Sequence, residues 1–535
     1  MPVATARTVS LHGAVGHLID VQADVSPGQV GLTMVGRPDA SLSEARDRCR
    51  MAVLNSRLSW PATKRITVLL SPADLPKRGT HFDLAIATAI LAASGTVPPE
   101  CLDGTVFVGE LTLEGGLRSV PGVLPMVLAA SERGLRRVFV PEPQAGEAAM
   151  VPGTTVIGVR SLGQVVACLT GEEPPEAPPV APMSGTRLLS WRAERRLDEV
   201  DLADLHGLAD VRYAVEVAAA GAHHLLLSGP KGAGKTSIAE RIPTILPPLT
   251  AEESLELTAI HSLAGALEPG DGRLTAAPFS APHHDASKAS LIGGGSGQVR
   301  PGEISRAHAG VLFLDEFPLF RADVIEALRE PLESGDVTVA RAEESVRLPA
   351  GGMVVLASNP CPCGKYHHSP ALDRCDCTEV RRRAYRSRVT GPVADRIDVT
   401  RHVEPLRRGE LDPFAVPETS AEVRARVAAA RDRQARRYAG EPWRLNGQAP
   451  GTRLAHDYPL TDEATAALRE AVFSGRLSNR GGARVHRLAW TVADLTAVRS
   501  GADVVPGLGE LDVALRLRTG EPLLTTGPEL PAGAR

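Results

Sequence analysis

The chain has few cysteines and no long apolar run, and each shortage excludes a class of protein. Seven cysteines in 535 residues are too few for a secreted disulfide scaffold. No stretch approaches the ~18 consecutive apolar residues that a membrane-spanning helix needs. The first ten residues contain no apolar segment of the kind that directs secretion. We therefore expect a cytoplasmic protein that does not enter a membrane.

Lysine is also scarce, because only six of the 59 basic residues are lysine. Acidic residues number 63, which leaves a formal charge of −4. This balance argues against a surface coated in positive charge, although it is compatible with a local basic groove. Each lysine inside a motif consequently stands out.

The composition that is present, 43% hydrophobic and 23% charged, is typical of a globular protein with several domains. Residues 1–170 alternate short apolar runs with turns and two helical patterns, which predicts a mixed α/β domain. Residues 171–189 are rich in proline and predict an extended linker. We expect a P-loop α/β core with a parallel sheet over 190–402, a helical lid domain over 403–520 and a frayed tail over 521–535.

The strongest motif is the P-loop pattern GxxxxGK[ST], which lies between an apolar strand and a helix. Its glycines let backbone N–H groups turn towards phosphates, and the N-terminus of the helix favours an anion. Lys235 is expected to reach the β- and γ-phosphates of ATP, and Thr236 to ligate Mg²⁺. The residues predicted to bind the nucleotide are Gly229, Pro230, Lys231, Gly232, Ala233, Gly234, Lys235 and Thr236.

Two carboxylates follow the next apolar run, residues 311–314. Asp315 can hold the Mg²⁺ ion, and Glu316 is placed to polarise an attacking water. A protein that only binds nucleotide does not need the second carboxylate. Asn359 ends a further apolar run and would present its amide to the γ-phosphate or the water, although an asparagine after a strand is usually a turn residue.

Four of the seven cysteines form a CxC…CxC set, namely Cys361, Cys363, Cys375 and Cys377. Four thiolates can bind Zn²⁺ in a tetrahedral structural site. His367 and His368 lie inside the loop as alternative ligands. The competing interpretation is a loop with small buried thiols.

The chain resembles the ComM/YifB family of magnesium-chelatase-like AAA+ ATPases. The similarity rests on residues 291–295 (LIGGG), 300–305 (RPGEIS), 308–317 (HAGVLFLDEF), 327–333 (ALREPLE), 359–364 (NPCPCG) and 391–398 (GPVADRID). The resemblance implies a homo-hexameric ring with ATP at the subunit interfaces. It also implies a DNA helicase or branch-migration activity in the recombination of incoming DNA during natural transformation.

The family pattern assigns roles to three further residues. Asn359 matches sensor 1, Arg396 matches the arginine finger supplied to a neighbouring subunit, and Arg484 matches the sensor 2 region. Arg480, Arg484 and Arg487 are spaced to share one face of a helix, so a solvated basic stripe is the alternative interpretation. The chain departs from the pattern at Gly207-Leu208, where Gly-Gln is usual, and at Lys231, where proline is common.

Two segments are candidates for contact with a substrate. Residues 336–349 alternate apolar and polar residues, which predicts a hairpin. In related ring helicases such a hairpin points into the pore, so Arg341 and Arg347 could touch phosphates. A plain surface hairpin fits the same pattern. The polar insert at 251–300, with His283, His284 and Lys288, is suited to a substrate loop.

The first domain resembles the Lon-type peptidase fold at residues 70–79 (LSPADLPKRG) and 109–130. Active domains of that type use a serine nucleophile and a lysine base. His81 or its neighbour stands where the serine is expected, and no lysine occurs between Lys77 and Lys231. We therefore expect no peptidase activity.

Two other functions remain open from the sequence. A chelatase-type motor subunit would remodel a partner that inserts Mg²⁺ into a porphyrin, and a protein-unfolding or peptidase-associated ATPase would act on polypeptide. The resemblance of the first domain and the cysteine set argue against the chelatase, and the missing dyad argues against the peptidase.

Overall fold

A computed structural model describes residues 3–36, 40–75, 77–181, 183, 200–295, 299–340, 345–366, 373–389, 391, 393–404 and 417–523. Residues 184–189 of the predicted linker and 524–535 of the predicted tail lie outside these ranges, as do Arg341, His367 and His368. The described part of the chain has a mixed α/β fold with a parallel sheet and a helical C-terminal region, as predicted for the α/β class, the P-loop core and the helical domain.

A seven-stranded mixed sheet occupies the first part of the chain, in the order β3-β4-β2-β1-β5-β8-β9. β1 pairs antiparallel with β2 through a tight turn, and buried and half-buried side chains alternate along the first half of β1 and most of β2. The seven strands of this sheet are β1 (Ala4–His12), β2 (Val15–Ser26), β3 (Gly31–Val35), β4 (Arg65–Ser71), β5 (Thr105–Phe107), β8 (Arg137–Pro141) and β9 (Thr155–Val159). β6 (Glu110–Leu111) and β7 (Leu117–Arg118) form a separate antiparallel pair.

The helix Asp83–Ala93 is the centre of this unit, because all eleven of its residues are buried. It is apolar on every side and packs on β1 and β2, as expected for a helix enclosed by a core. The remaining helices of the unit are Ala40–Asn55, Val123–Glu132, Ala145–Ala148 and Leu162–Thr170, with 3-10 turns at Pro99–Leu102 and Glu142–Gln144.

The second sheet is parallel throughout, in the order β11-β14-β17-β10-β18. Its inner strands are continuous apolar runs, because helices cover both faces of a parallel sheet. The strands of this region are β10 (Leu225–Ser228), β11 (Phe279–Ser280), β12 (Gly293–Gly294), β13 (Arg300–Pro301), β14 (Val311–Leu314), β15 (Asp336–Ala340), β16 (Ser345–Pro349), β17 (Met353–Ser358) and β18 (Val399–His402). The carboxyl ends of β10, β14 and β17 therefore meet at one edge, where ligands bind in sheets of this kind.

Short helices surround the parallel sheet, and a helical region follows it. The first group comprises Ala209–Gly221, Lys235–Ile245, Ala251–Ala264, Lys288–Ile292, Glu303–Arg306, Ala322–Ala327, Pro331–Ser334 and Glu379–Val389, with 3-10 turns at Leu202–Asp204, Phe317–Leu319 and Ala394–Arg396. The second group comprises Ser420–Arg437, Gly451–Asp457, Asp462–Phe473, Asn479–Ser500 and Leu508–Thr519, with a 3-10 turn at Asn446–Gln448.

The two sheets share a continuous apolar core. Leu124 of the first unit belongs to the same buried cluster as Leu312 and Leu356 of the parallel sheet. The helix Val123–Glu132 packs on Ala251–Ala264, and the Gly122 N–H donates a hydrogen bond to the Ser262 carbonyl over 3.1 Å. The first unit is consequently joined to the P-loop unit by packing as well as by the chain.

None of the helices within the described ranges has the length and apolar character that crossing a membrane requires.

Candidate nucleotide site

The loop over residues 229–234 has a backbone that requires glycine at specific points. Gly232 and Gly234 have φ values of +82° and +90°, in the left-handed region where a side chain is strained. At Gly229 a Cβ atom would lie 2.1 Å from the carbonyl oxygen of Val403, the residue after β18, so there is no room for a side chain. The loop then passes into the helix that begins at Lys235.

Lys235 is folded into the loop and is only 7% exposed. Its Nζ donates hydrogen bonds to the carbonyls of Gly229 (2.7 Å) and Pro230 (2.9 Å) and to Asn359 Oδ1 (3.1 Å). Burial lowers the pKa of this ammonium, and the nearby carboxylates of Asp315 and Glu316 oppose that shift. The Lys235 ammonium group is thus held inside the loop, next to the carboxyl end of β17.

Thr236 and Asp315 meet although they are 79 positions apart, because β10 and β14 end at the same sheet edge. The Thr236 hydroxyl donates to Asp315 Oδ2 over 3.1 Å, and the Glu316 N–H donates to Asp315 Oδ1 over 2.8 Å. A hydroxyl beside a carboxylate is the oxygen pair that a hard cation such as Mg²⁺ accepts. The residues present therefore fit a magnesium ion bound between them.

Glu316 has a left-handed backbone, with φ +49°. This conformation is uncommon outside glycine and often occurs at functional positions. His284 lies beside it, with Nδ1 3.9 Å from Glu316 Oε2. The ring of His284 contacts that of His283, with 4.1 Å between the centroids and 34° between the planes. The sequence placed His284 in a substrate loop, whereas the structure puts it next to the carboxylate expected to activate water.

Asn359 is supported by a tyrosine that the sequence analysis did not single out. Tyr385, from the helix Glu379–Val389, is buried and hydrogen-bonded to the Ser358 side chain and the Asn359 backbone. Burial raises the pKa of its phenol, which therefore stays neutral. No sequence spacing identifies this contact.

Arg396 lies on the 3-10 turn before β18 and is 7% exposed. Its Nη2 is 2.8 Å from Glu333 Oε1, and the more exposed Arg480 reaches the same oxygen at 3.4 Å. Glu333 is a second residue that the sequence analysis did not identify. Within one chain, the predicted finger is thus paired with a carboxylate of its own subunit.

Arg484 contradicts the interpretation of a solvated stripe, because it is only 8% exposed. Its Nη1 donates to Asp398 Oδ1 over 2.5 Å, and the His224 N–H donates to Asp398 Oδ2 over 2.9 Å. Arg487 is also engaged, through a 2.8 Å hydrogen bond from Nε to the Ala449 carbonyl. The stripe interpretation fails because the helix Asn479–Ser500 is packed into the core along that face.

The charges around Asp398 are arranged to keep it ionised. Burial acts to raise its pKa, but the guanidinium of Arg484 outweighs burial and holds that pKa well below its usual range. Burial lowers the pKa of both His223 and His224 to about 4, so they are neutral near pH 7. His224 is fixed as a neutral ring, since its Nδ1 accepts the Val354 N–H over 3.1 Å.

The four cysteines converge as the sequence predicts. The Sγ atom of Cys361 lies 3.3 Å from that of Cys363 and 3.5 Å from that of Cys375, and Cys363 and Cys375 are 3.6 Å apart. The Cys377 Sγ lies within 4.8 Å of the others. A tetrahedron of thiolates around Zn²⁺ has edges of about 3.8 Å, so the donor set fits that ion.

Hydrogen bonds favour the thiolate at Cys363, whereas burial raises the pKa of Cys361 and Cys375. The Cys377 N–H donates to Cys375 Sγ over 3.4 Å. Desolvation acts to raise the pKa of Cys363, but hydrogen bonds from the Lys365 backbone and the neighbouring thiols outweigh it and lower that pKa to about 6. Such amide–sulfur contacts are the outer support that a metal–thiolate centre requires.

The predicted hairpin consists of β15 and β16, with its apolar side buried at Val339 and Val346. The turn between β1 and β2 touches that side, since a Cβ atom at Gly13 would lie 2.3 Å from Val346 Cγ1. Arg347 is on the opposite, exposed side and forms a 2.5 Å ion pair with Asp336. The first unit therefore packs against the buried side of the hairpin.

In the first unit, His81 is enclosed. Its Nε2 donates to the Val9 carbonyl over 2.8 Å, and the ring is 3% exposed. Lys77 is fully buried, and its ammonium donates to the Pro72 carbonyl. Neither residue is presented as a reactive group, and the Lon-type resemblance of this unit stays a prediction.

Comparisons with known proteins match most of the chain. Family models described as "Magnesium chelatase, subunit ChlI", "Subunit ChlI of Mg-chelatase" and "Magnesium chelatase, subunit ChlI C-terminal" match residues 201–411, 21–144 and 417–505. The uncharacterized protein Rv2897c of Mycobacterium tuberculosis is 43% identical over 97% of this chain and 99% of its own length. Competence protein ComM of Haemophilus influenzae and the uncharacterized protein YifB of Escherichia coli are each 38% identical, over 92% of this chain and 94% of theirs.

Proposed function

Because the chain belongs to the ComM/YifB family of magnesium-chelatase-like proteins, we propose that it is an AAA+ ATPase whose ring of identical subunits moves DNA. The observation that carries the ATPase assignment is the meeting of Lys235, Thr236 and Asp315 at one sheet edge. Bound Mg²⁺ would neutralise charge on the phosphates.

Each residue of the site has one task in this proposal. The loop amides and Lys235 bind the phosphates, while Thr236 and Asp315 orient the metal. Glu316 accepts a proton from the attacking water, and Asn359 positions that water or the γ-phosphate. Arg396 would leave Glu333 and reach the nucleotide of the neighbouring subunit, which makes the homo-hexamer part of the active site.

DNA is the substrate that the exposed charge favours. Arg347 stands on the exposed side of the hairpin, and Arg381 and Arg383 are exposed on the helix Glu379–Val389. Arginines at such positions bind phosphate backbones. The name of the Haemophilus influenzae relative, a competence protein, agrees with uptake of DNA. We therefore propose a helicase or branch-migration role in recombination of incoming strands.

The test is the ATPase rate with and without single-stranded DNA, with an unfolded protein as the control polymer. We expect stimulation by DNA alone, and we expect Glu316→Gln to bind ATP but not hydrolyse it. Arg347→Ala should weaken DNA binding and flatten its salt dependence, because fewer counterions are released. Arg436→Ala, at an exposed arginine of the helix Ser420–Arg437, is the matched control and should behave like wild type.

A chelatase-type motor is the second candidate, because the matching family models are described as a magnesium chelatase subunit. The same assay separates the two functions. An ATPase rate that is indifferent to DNA, together with normal hydrolysis by Glu316→Gln, would reject both the substrate and the catalytic roles proposed above.

A further inference from the structure

The cysteine turn, residues 361–364, lies directly against the phosphate-binding loop. A Cβ atom at Gly364 would lie 3.4 Å from Lys231 Cβ and 3.9 Å from Asn359 Cγ. Gly364 also has φ +75°, so a side chain there would be both strained and in contact with Lys231. The turn therefore forms a wall of the nucleotide site, only two residues beyond Asn359.

The chain that leaves the cysteines returns to the same place. Cys377 is followed by the helix Glu379–Val389, whose Tyr385 is buried and bonded to Ser358 and the Asn359 backbone. Arg382 and Arg386 of this helix lie over the ring of Tyr366, at 4.7 and 4.6 Å from its centroid. Residues 361–364 and the helix that follows Cys377 consequently both lie against the carboxyl end of β17.

The four sulfur atoms bring together residues 361–364 and the segment that precedes the helix Glu379–Val389. Cys361 and Cys363 belong to the wall of the nucleotide site, whereas Cys375 and Cys377 precede the helix that supports Asn359. A metal ion bound by both pairs would fix residues 361–364 relative to the start of the helix Glu379–Val389. Without this metal ion, residues 361–364 and the helix Glu379–Val389 can move independently of each other.

We propose that one Zn²⁺ ion bound by Cys361, Cys363, Cys375 and Cys377 holds residues 229–236 and Asn359 in the arrangement that binds nucleotide, so that zinc occupancy controls nucleotide affinity. This inference rests on the proposed function in one respect, namely that residues 229–236 bind ATP. It assigns the metal a regulatory role beyond local stability.

The experiment uses the full chain. Zinc content is measured by elemental analysis, and the protein is then stripped with a chelator and titrated with Zn²⁺. Binding of a fluorescent ADP and hydrogen exchange of amides 229–236 without nucleotide are followed at each step. The variant Cys363→Ser/Cys375→Ser removes two ligands, and Cys101→Ser/Cys168→Ser is its control, since Cys101 and Cys168 are free cysteines outside the cluster.

We expect about one Zn²⁺ per chain and a rise in the Kd for ADP of about tenfold on removal, the effect of one or two misplaced hydrogen bonds. Exchange at residues 229–236 should quicken, and Zn²⁺ should reverse both changes in wild type only. Gly364→Ala should keep its zinc and still bind ADP more weakly, because it alters the contact with Lys231. If the double serine variant fails to fold, the chelator and Zn²⁺ titration of the wild type still decides the question.

Two results would overturn the inference. Well-folded protein without zinc removes the metal site, and zinc removal that leaves both ADP affinity and exchange unchanged removes the coupling. Failure of the proposed function has a different signature. Zinc-loaded protein would then not bind ADP at all, while the zinc-dependent exchange at residues 229–236 would still decide whether the metal orders the loop.

Discussion

Replacing Arg484 with methionine isolates the buried ion pair that ties the helix Asn479–Ser500 to the start of β18. The change removes the 2.5 Å contact with Asp398 and leaves a buried carboxylate without its cation. Loss of one partner of a buried pair costs about 3–5 kcal/mol of unfolding free energy. The replacement has a similar length, so little of this cost comes from an empty cavity.

The pH dependence distinguishes lost charge pairing from lost packing. In the wild type the pKa of Asp398 is depressed, so its ionised form stabilises the fold above about pH 4, and that stability is lost as the pH falls further. In Arg484→Met the buried carboxyl loses its nearest counter-charge, so its pKa should rise. The variant should therefore be damaged most at pH 8 and progressively less towards pH 5, where Asp398 takes up a proton.

The assay is denaturant unfolding without nucleotide, followed by the fluorescence of Trp490 in the same helix and by hydrogen exchange of that helix. Arg480→Met is the matched control, because Arg480 lies one turn earlier, is well exposed, and should cost less than about 1 kcal/mol. Adding Asp398→Asn to Arg484→Met should restore most of the loss. An Arg484→Met protein as stable as wild type at pH 8, or a loss that is independent of pH, would refute the argument.

Three further outcomes are expected. Arg396→Ala should bind ATP but hydrolyse it ~10³–10⁵ times more slowly. Mixing this variant with Lys235→Ala should restore some ATPase activity, and no recovery in fully assembled mixtures would exclude an active site shared between subunits. The fold should lose stability as the pH falls from about 6.5 towards 4, because the pKa of His224 is lowered to about 4 and its ring must stay neutral in the fold. The shift corresponds to a loss of about 3 kcal/mol of unfolding free energy, and His224→Gln should flatten the pH dependence in that range. Unfolded protein substrate should not be cleaved in the presence of ATP, since His81 is enclosed rather than presented; cleavage that depends on first-domain residues would contradict this.

Features that depend on local sequence could be predicted without the structure. Residues 229–236 carry the loop because consecutive N–H groups and left-handed backbone require glycine at set positions. β14 and β17 are apolar throughout because both faces of a parallel sheet are covered, and the helices of the C-terminal region follow their apolar period. The CxC spacing also predicts that the two sulfurs of each pair lie close together, and the four sulfurs meet in the structure.

β1 and β2 show where local patterns fail. Their buried positions alternate with polar ones, as in the Thr5–Gln22 and Arg7–Asp20 pairs, so no apolar run marks them. Their pairing comes from the tight turn at Gly13 and from the helix Asp83–Ala93, which covers them. Half-buried antiparallel strands carry less apolar signal than the strands of a buried parallel sheet.

The sequence by itself determined which residues can hold phosphate, Mg²⁺ and Zn²⁺, because those chemistries need particular side chains at short spacing. Only the tertiary structure decided what surrounds them. Arg484 meets Asp398 across 86 positions, and Lys235 meets Asn359 across 124. Such contacts depend on which strands end together and which helix faces are covered, and these follow from the burial of apolar surface over the whole chain.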